Sequence, residues 1–142
     1  MIIQAHAQKG MLQNVGFQAA RLSHTTLFQR PDGILEAHCT DINYGINELV
    51  EIVYATGKIS GNKRVPMLII SSAHSLVNSE AREYMASPES TKYSIAEAYV
   101  IKSTAQKILV NFYLRFNKPT VPTRFFSDIT KAEKWLLSFT KK

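Results

Sequence analysis

The residues with the types and spacing to do chemistry are Ser71-Ser72-Ala73-His74-Ser75. Three hydroxyls and one imidazole follow directly on the apolar run Val65–Ile70 (VPMLII). Open α/β sheets present ligands beyond the carboxyl ends of their strands. A helix is expected to start near Asn78, and the free N–H groups of a helix start favour an anion. Ser103 closes the next expected strand and would line the same crevice. Ser71, Ser72, His74, Ser75 and Ser103 therefore form the candidate ligand- or partner-binding set. A polar strand-to-helix loop, a small-molecule contact, a phosphorylated serine and a Ser/His nucleophile pair all suit these residues. Catalysis has the least support, because no acid is placed by sequence to orient His74. No catalytic residue is assigned.

Other chemistries are absent from the pattern. His6, His24, His38 and His74 lack ligand spacing, so no metal site is expected. The six glycines never approach a phosphate-cradling motif, and no cofactor is implied. Cys39 stands alone, so it has no disulfide partner within the chain. Its neighbour His38 points to the opposite face of a strand, so Cys39 reads as a covered strand residue. Phe112, Tyr113 and Phe116 lie near Arg115 and Lys118, which could suggest base stacking. Their helical spacing instead predicts core packing.

Charge is uneven. From Ile101 onward nine basic residues face only Asp128 and Glu133, while the first hundred residues carry a net −1. A basic end can attract an acidic partner, nucleic acid or an anionic membrane. No basic run exceeds two residues, so a solvated face is expected and no specific nucleic acid. No apolar run is long enough for a transmembrane segment, and the first residues lack the charged start and apolar core of a secretory signal, so none is expected. A cytoplasmic protein is expected.

The elements that must hold the candidate set follow from local signals. Thr25–Arg30 and Ile34–Thr40 are strand-prone runs joined by Pro31-Asp32-Gly33, a hairpin turn by residue type. Ile46, Leu49, Val50 and Val53 recur at helical spacing, giving a helix over Tyr44–Thr56 with Gly57 as terminator. Val65–Ile70 is apolar throughout, as in a strand covered on both faces. Asn78 caps a helix with Ala81, Tyr84 and Met85 inward. Ile95–Lys102 is a second central strand. Ser103 with Gln106 predicts a capping box, followed by a helix with Ala105, Ile108, Leu109, Phe112, Tyr113 and Phe116 along its inner stripe. Thr123–Phe126 is the last strand. Asp128 caps a final helix that turns Ile129, Ala132, Trp135, Leu136 and Phe139 inward. The order ββαβαβαβα predicts one α/β domain with a mixed sheet, mostly parallel after its first strand. Residues 1–22 lack capping and stop signals and are expected to form an extension outside the core, leaving 23–142 as the domain.

Several stretches carry a family resemblance: Asp32-Gly33-Ile34, Ser79 to Ser87 (SEAREYMAS), Ala96–Ser103, Asn111–Pro119 (NFYLRFNKP), Pro122–Phe126 and Ala132–Leu136. From about Thr25 to Phe139 the chain resembles bacterial proteins of STAS-like fold, the sulfate-transporter and anti-sigma-antagonist domain. CRAL-TRIO lipid carriers are related in fold. The resemblance implies a STAS-like mixed sheet with helices packed on it, and no established reaction. Anti-sigma-factor antagonists carry an Asp-Ser-Ser-Gly phosphoacceptor turn after the central strand. Here the place reads Ile70-Ser71-Ser72-Ala73-His74, without the acid or the glycine, so the phospho-switch does not carry over.

The expected function is a non-enzymatic regulatory or protein-interaction module. A small-molecule or lipid carrier is the alternative, and a hydrolase using Ser72 and His74 the remote one. The expected partner is a protein or a small ligand, with a homodimer as one form. A deep pocket would favour the carrier, a shallow surface the interaction module, and a Ser–His contact the enzyme.

Overall fold

The computed structural model describes residues 18–140, together with the backbone of two earlier strands, β1 (Ile2–Ala5) and β2 (Gly10–Asn14). The hairpin forms where its turn chemistry puts it. β4 (Thr25–Gln29) and β5 (Leu35–Cys39) pair antiparallel, with Thr25 opposite Cys39 and Gln29 opposite Leu35. Gly33 takes φ +96°, a conformation open to glycine, and the Ile34 amide donates to Asp32 Oδ1 at 3.1 Å. Parallel strands β7 (Val65–Ile70), β9 (Ser94–Val100) and β10 (Thr123–Phe126) extend the sheet beyond β5. β3 (Gln18–Leu22) pairs antiparallel with β4 on the other side. The sheet order is β1-β2-β3-β4-β5-β7-β9-β10. Two short strands absent from the sequence reading, β6 (Asn43–Tyr44) and β8 (Leu76–Val77), form a separate parallel pair.

Helices cover both faces. Successive strand side chains alternate between them. Leu68, Ile70, Ala96, Ala98 and Val100 turn to one face and pack on Ala132 and Leu136 of α4 (Ile129–Leu137). Met67, Ile69, Tyr99 and Phe125 turn to the other, under α1 (Ile46–Ser60), α2 (Ser79–Met85) and α3 (Thr104–Phe116). Arg30 ties the hairpin to α4, its guanidinium donating to Glu133 at 2.7 Å, Glu36 at 3.1 Å and Asp32 at 2.7 Å. Caps fall where read for α2 and α4. Asn78 Oδ1 accepts from the Ala81 amide, and Asp128 Oδ1 from Thr130.

Four expectations need correction. The boundary after residue 22 is wrong for β3: Ala20 and Leu22 are buried in one cluster with Leu27, Leu35 and Ala55. A strand that completes a core needs no cap or stop signal, so that test could not exclude it. The side chains of residues 1–17 lie outside the described residues. Next, α1 does not stop at Gly57. It runs to Ser60 and ends on Gly61, whose φ of +66° and N–H bond to the Gly57 carbonyl make the C-cap. Third, α3 buries Gln106, Val110 and Tyr113, whereas Ile108, Phe112 and Phe116 are 65%, 46% and 63% exposed. Its apolar residues span two adjoining flanks, and the sheet takes only one. Last, α4 buries Ala132 and Leu136 fully, but Ile129 is exposed and Trp135 half-buried. Trp135 lies over Phe126 and against Phe139 at the rim of the sheet.

Candidate functional site

Between the sheet and the three-helix layer lies a cavity of about 140 Å³. Its floor is the face of β5, β7 and β9 bearing Ala37, Cys39, Met67, Ile69, Glu97 and Tyr99. Its walls come from Ile52 and Thr56 of α1, Arg82 and Met85 of α2, and Leu109, Val110 and Tyr113 of α3. The lining is mostly apolar, with a few converging polar groups, as ligand pockets are. Protein interiors hold few voids larger than a water.

The polar groups cluster on β9 and α3. Glu97 is buried, and its carboxyl accepts from Ser94 Oγ at 2.7 Å and from the Tyr99 hydroxyl at 2.9 Å. Burial raises its pKa, outweighing those two hydrogen bonds, which act to lower it. Burial also lifts the hydroxyls of Tyr99 and Tyr113, with the nearby Glu97 adding to both. Tyr113 is 2% exposed, and its hydroxyl has no hydrogen-bond partner among the described residues. Arg82 donates from Nη1 to the Val77 carbonyl at 2.6 Å, while its buried Nε–H has no partner. Its guanidinium sits 5.3 Å over the Phe112 ring. Burial raises the Cys39 thiol to about 11, so it stays protonated at neutral pH and is a poor nucleophile.

The Ser71–Ser75 loop closes one end of this cavity. It leaves β7 at its carboxyl end, beside the carboxyl end of β9, because those strands are parallel neighbours. Gln106 of α3 holds it: Nε2 donates to the carbonyls of Ser72 at 2.7 Å and Ser75 at 2.9 Å. The same side chain accepts from the Lys102 amide at 2.7 Å. The expected capping box is thus half formed. Ser103 Oγ accepts from the Gln106 amide at 3.2 Å, but Gln106 reaches past the cap to Lys102. Ser71 and Ser75 line the cavity, and Ser75 Oγ donates to the Ser72 carbonyl at 3.2 Å. Ser103 lines a separate shallow depression with Lys102, Thr104 and Ser127.

Ser72 and His74 are not paired with each other. Ser72 Oγ donates to Asp41 Oδ1 at 2.5 Å, and the His74 amide donates to the same oxygen at 2.9 Å. These two bonds, the Ser72 one first, lower the Asp41 pKa. The acid that the sequence did not supply locally therefore comes from the loop after β5. It binds the serine and the backbone; the His74 ring makes no hydrogen bond among the described residues.

Sequence reasoning singled out none of Arg82, Glu97, Tyr99 or Asp41 as site residues, and it read Gln106 and Tyr113 only as cap and core. Adjacent to the cavity it also missed a buried polar chain. His24 Nε2 lies 2.6 Å from Glu51 Oε1, and its Nδ1 lies 2.8 Å from Thr25 Oγ1. Thr25 Oγ1 in turn is 2.9 Å from the Tyr44 hydroxyl. No local spacing flags these residues, because His24 and Glu51 are 27 apart. No group of three or more His, Cys, Asp or Glu among the described residues is placed to hold a metal ion.

A family model described as a domain of unknown function, DUF7793, matches residues 28–140. The chain belongs to the DUF7793 family. The match takes in α1 to α4 and β5 to β10, and so nearly the whole cavity lining. No curated protein and no solved structure matches the chain. No helix among the described residues is long and apolar enough to cross a membrane.

Proposed function

We propose that this DUF7793 domain is a non-enzymatic regulatory module that binds a small, largely apolar molecule in the cavity between its sheet and α1, α2 and α3. The observation that carries the reading is the apolar 140 Å³ cavity with the unpartnered Tyr113 hydroxyl in its wall. A ligand there would bury apolar lining and offer a partner to a buried donor. The volume matches a six-carbon ring, since an apolar cavity of ~150 Å³ holds benzene. A non-enzymatic role is supported by the site chemistry: the Ser72 proton is committed to Asp41, and Cys39 is held as a thiol. The STAS-like resemblance and a cytoplasmic setting are part of the same proposal.

A second reading is favoured by one observation. Ile108, Phe112 and Phe116 form an exposed apolar flank on α3, the helix whose other side walls the cavity. In that reading α3 docks a protein partner or a second copy of the chain.

Toluene titrated into the labelled protein separates the two. The cavity reading expects amide shifts at Met67, Ile69, Val110 and Tyr113, and their loss in the cavity-filling variant Val110→Phe. Shifts confined to Phe112 and Phe116 would favour the docking flank. No shifts anywhere would end the small-molecule reading.

A further inference from the structure

The unpartnered groups around the cavity share one property: they need an acceptor. The Nε–H of Arg82 can only donate, and the Tyr113 hydroxyl proton finds no acceptor. With Nη1 committed to the Val77 carbonyl, the Nε–Nη2 edge of the guanidinium remains. That edge is a two-pronged donor that matches a carboxylate. Arg82 also has no counter-ion among the described residues. The ion pairs among the described residues engage Arg30, Lys92, His24 and His38, and none engages Arg82. Among the described residues the one carboxyl that lines the cavity, Glu97, is held by Ser94 and Tyr99.

We infer that the ligand is a small monocarboxylic acid, its carboxylate on the Nε–Nη2 edge of Arg82 and its apolar body against Met67, Ile69 and Val110. This rests on the cavity reading above. A carboxylate brings two acceptor oxygens and cancels the unpaired positive charge, which an alcohol or a hydrocarbon cannot do. The body is limited to about six carbons, because the cavity is the size that holds benzene. A long acyl chain does not fit. Glu97 is turned to its own partners, Ser94 and Tyr99, and burial raises its pKa, which lessens its repulsion of an anion.

The test compares benzoate with benzyl alcohol on the full chain by calorimetry, at about 0.3 M salt to screen the exposed lysines. Benzoate should bind at least about tenfold more tightly, and Arg82→Gln should bring the two within about threefold by weakening benzoate. A thermal melt checks that the variant is folded, and the wild-type comparison stands without it. Equal affinities in the wild type, or a preference that survives Arg82→Gln, would overturn the carboxylate assignment and leave the cavity reading intact. If neither compound binds and toluene shifts no cavity amide, both fall.

Discussion

Gly57→Ala tests the packing of α1 with a sign that depends on one contact. Gly57 lies inside α1, and glycine in a helix interior costs about 1 kcal/mol relative to alanine. On an open helix face the substitution would therefore stabilise. Here an added Cβ would sit 2.5 Å from Tyr93 Cε2 and 2.7 Å from Cζ. Ordinary contact begins near 3.4 Å, so the ring or the helix must move by about 0.9 Å. The Tyr93 backbone has little freedom, because its carbonyl accepts from the Val65 amide at 2.9 Å where β7 begins. Overpacking of this kind costs about 1–3 kcal/mol. The clash wins over the propensity gain by about 1 kcal/mol, which lowers the melting temperature by roughly 3–4 °C in a chain of this size. Because Tyr93 also lines the cavity, ligand affinity should fall with it. The assay is a double-mutant cycle with Tyr93→Ala. In that background Gly57→Ala should turn stabilising, by about 1 kcal/mol. A stabilising effect in the wild-type background would refute the reasoning, as would one that ignores residue 93.

Two further outcomes follow from the core. Glu97→Gln should stabilise the protein more at pH 8 than at pH 5, measured by urea unfolding of both proteins: a carboxyl whose folded pKa is raised contributes most below its unfolded value near 4.3 and loses that contribution as pH rises. An unchanged difference between the two pH values would show that Glu97 ionises as readily in the fold as out of it. Leu136→Ala, at a site with no exposure, should cost about 2–5 kcal/mol, and Trp135→Ala should cost less despite its larger side chain, because half-burial at the sheet rim leaves no closed cavity; the reverse order in a denaturant series would put the tryptophan in the core.

What the sequence disclosed was whatever local chemistry decides. Pro31-Asp32-Gly33 can do little but turn, Asn78 and Asp128 carry the oxygens that cap a helix, and VPMLII suits a strand buried on both faces. The errors came where a local signal has two tertiary meanings. Gly57 looks the same as a helix stop and as a notch for a tyrosine ring that arrives 36 residues later. On α3, Ile108-Phe112-Phe116 and Gln106-Val110-Tyr113 both repeat at helical spacing. Hydrophobicity favours the first set, and the sheet takes the second. Gln106 decides this. Its amide can be buried because three loop carbonyls and the Lys102 amide satisfy it, and that bonding fixes which flank of α3 faces the sheet. The same residue explains why the site was only half legible. Ser71 to Ser75 stood out as a polar loop after a buried strand, and the structure puts that loop at the cavity wall. The cavity itself draws Cys39, Arg82, Glu97 and Tyr113 from four separate elements, and no signal within any one segment marks them as a shared site. A carboxyl in the middle of IAEAYVI reads as an outward-facing residue of an alternating strand. It becomes a buried group with a raised pKa because α3 covers that face of β9. Whether a chain binds through a loop or a cavity is settled by such long-range cover, and periodicity along one segment carries no information about it.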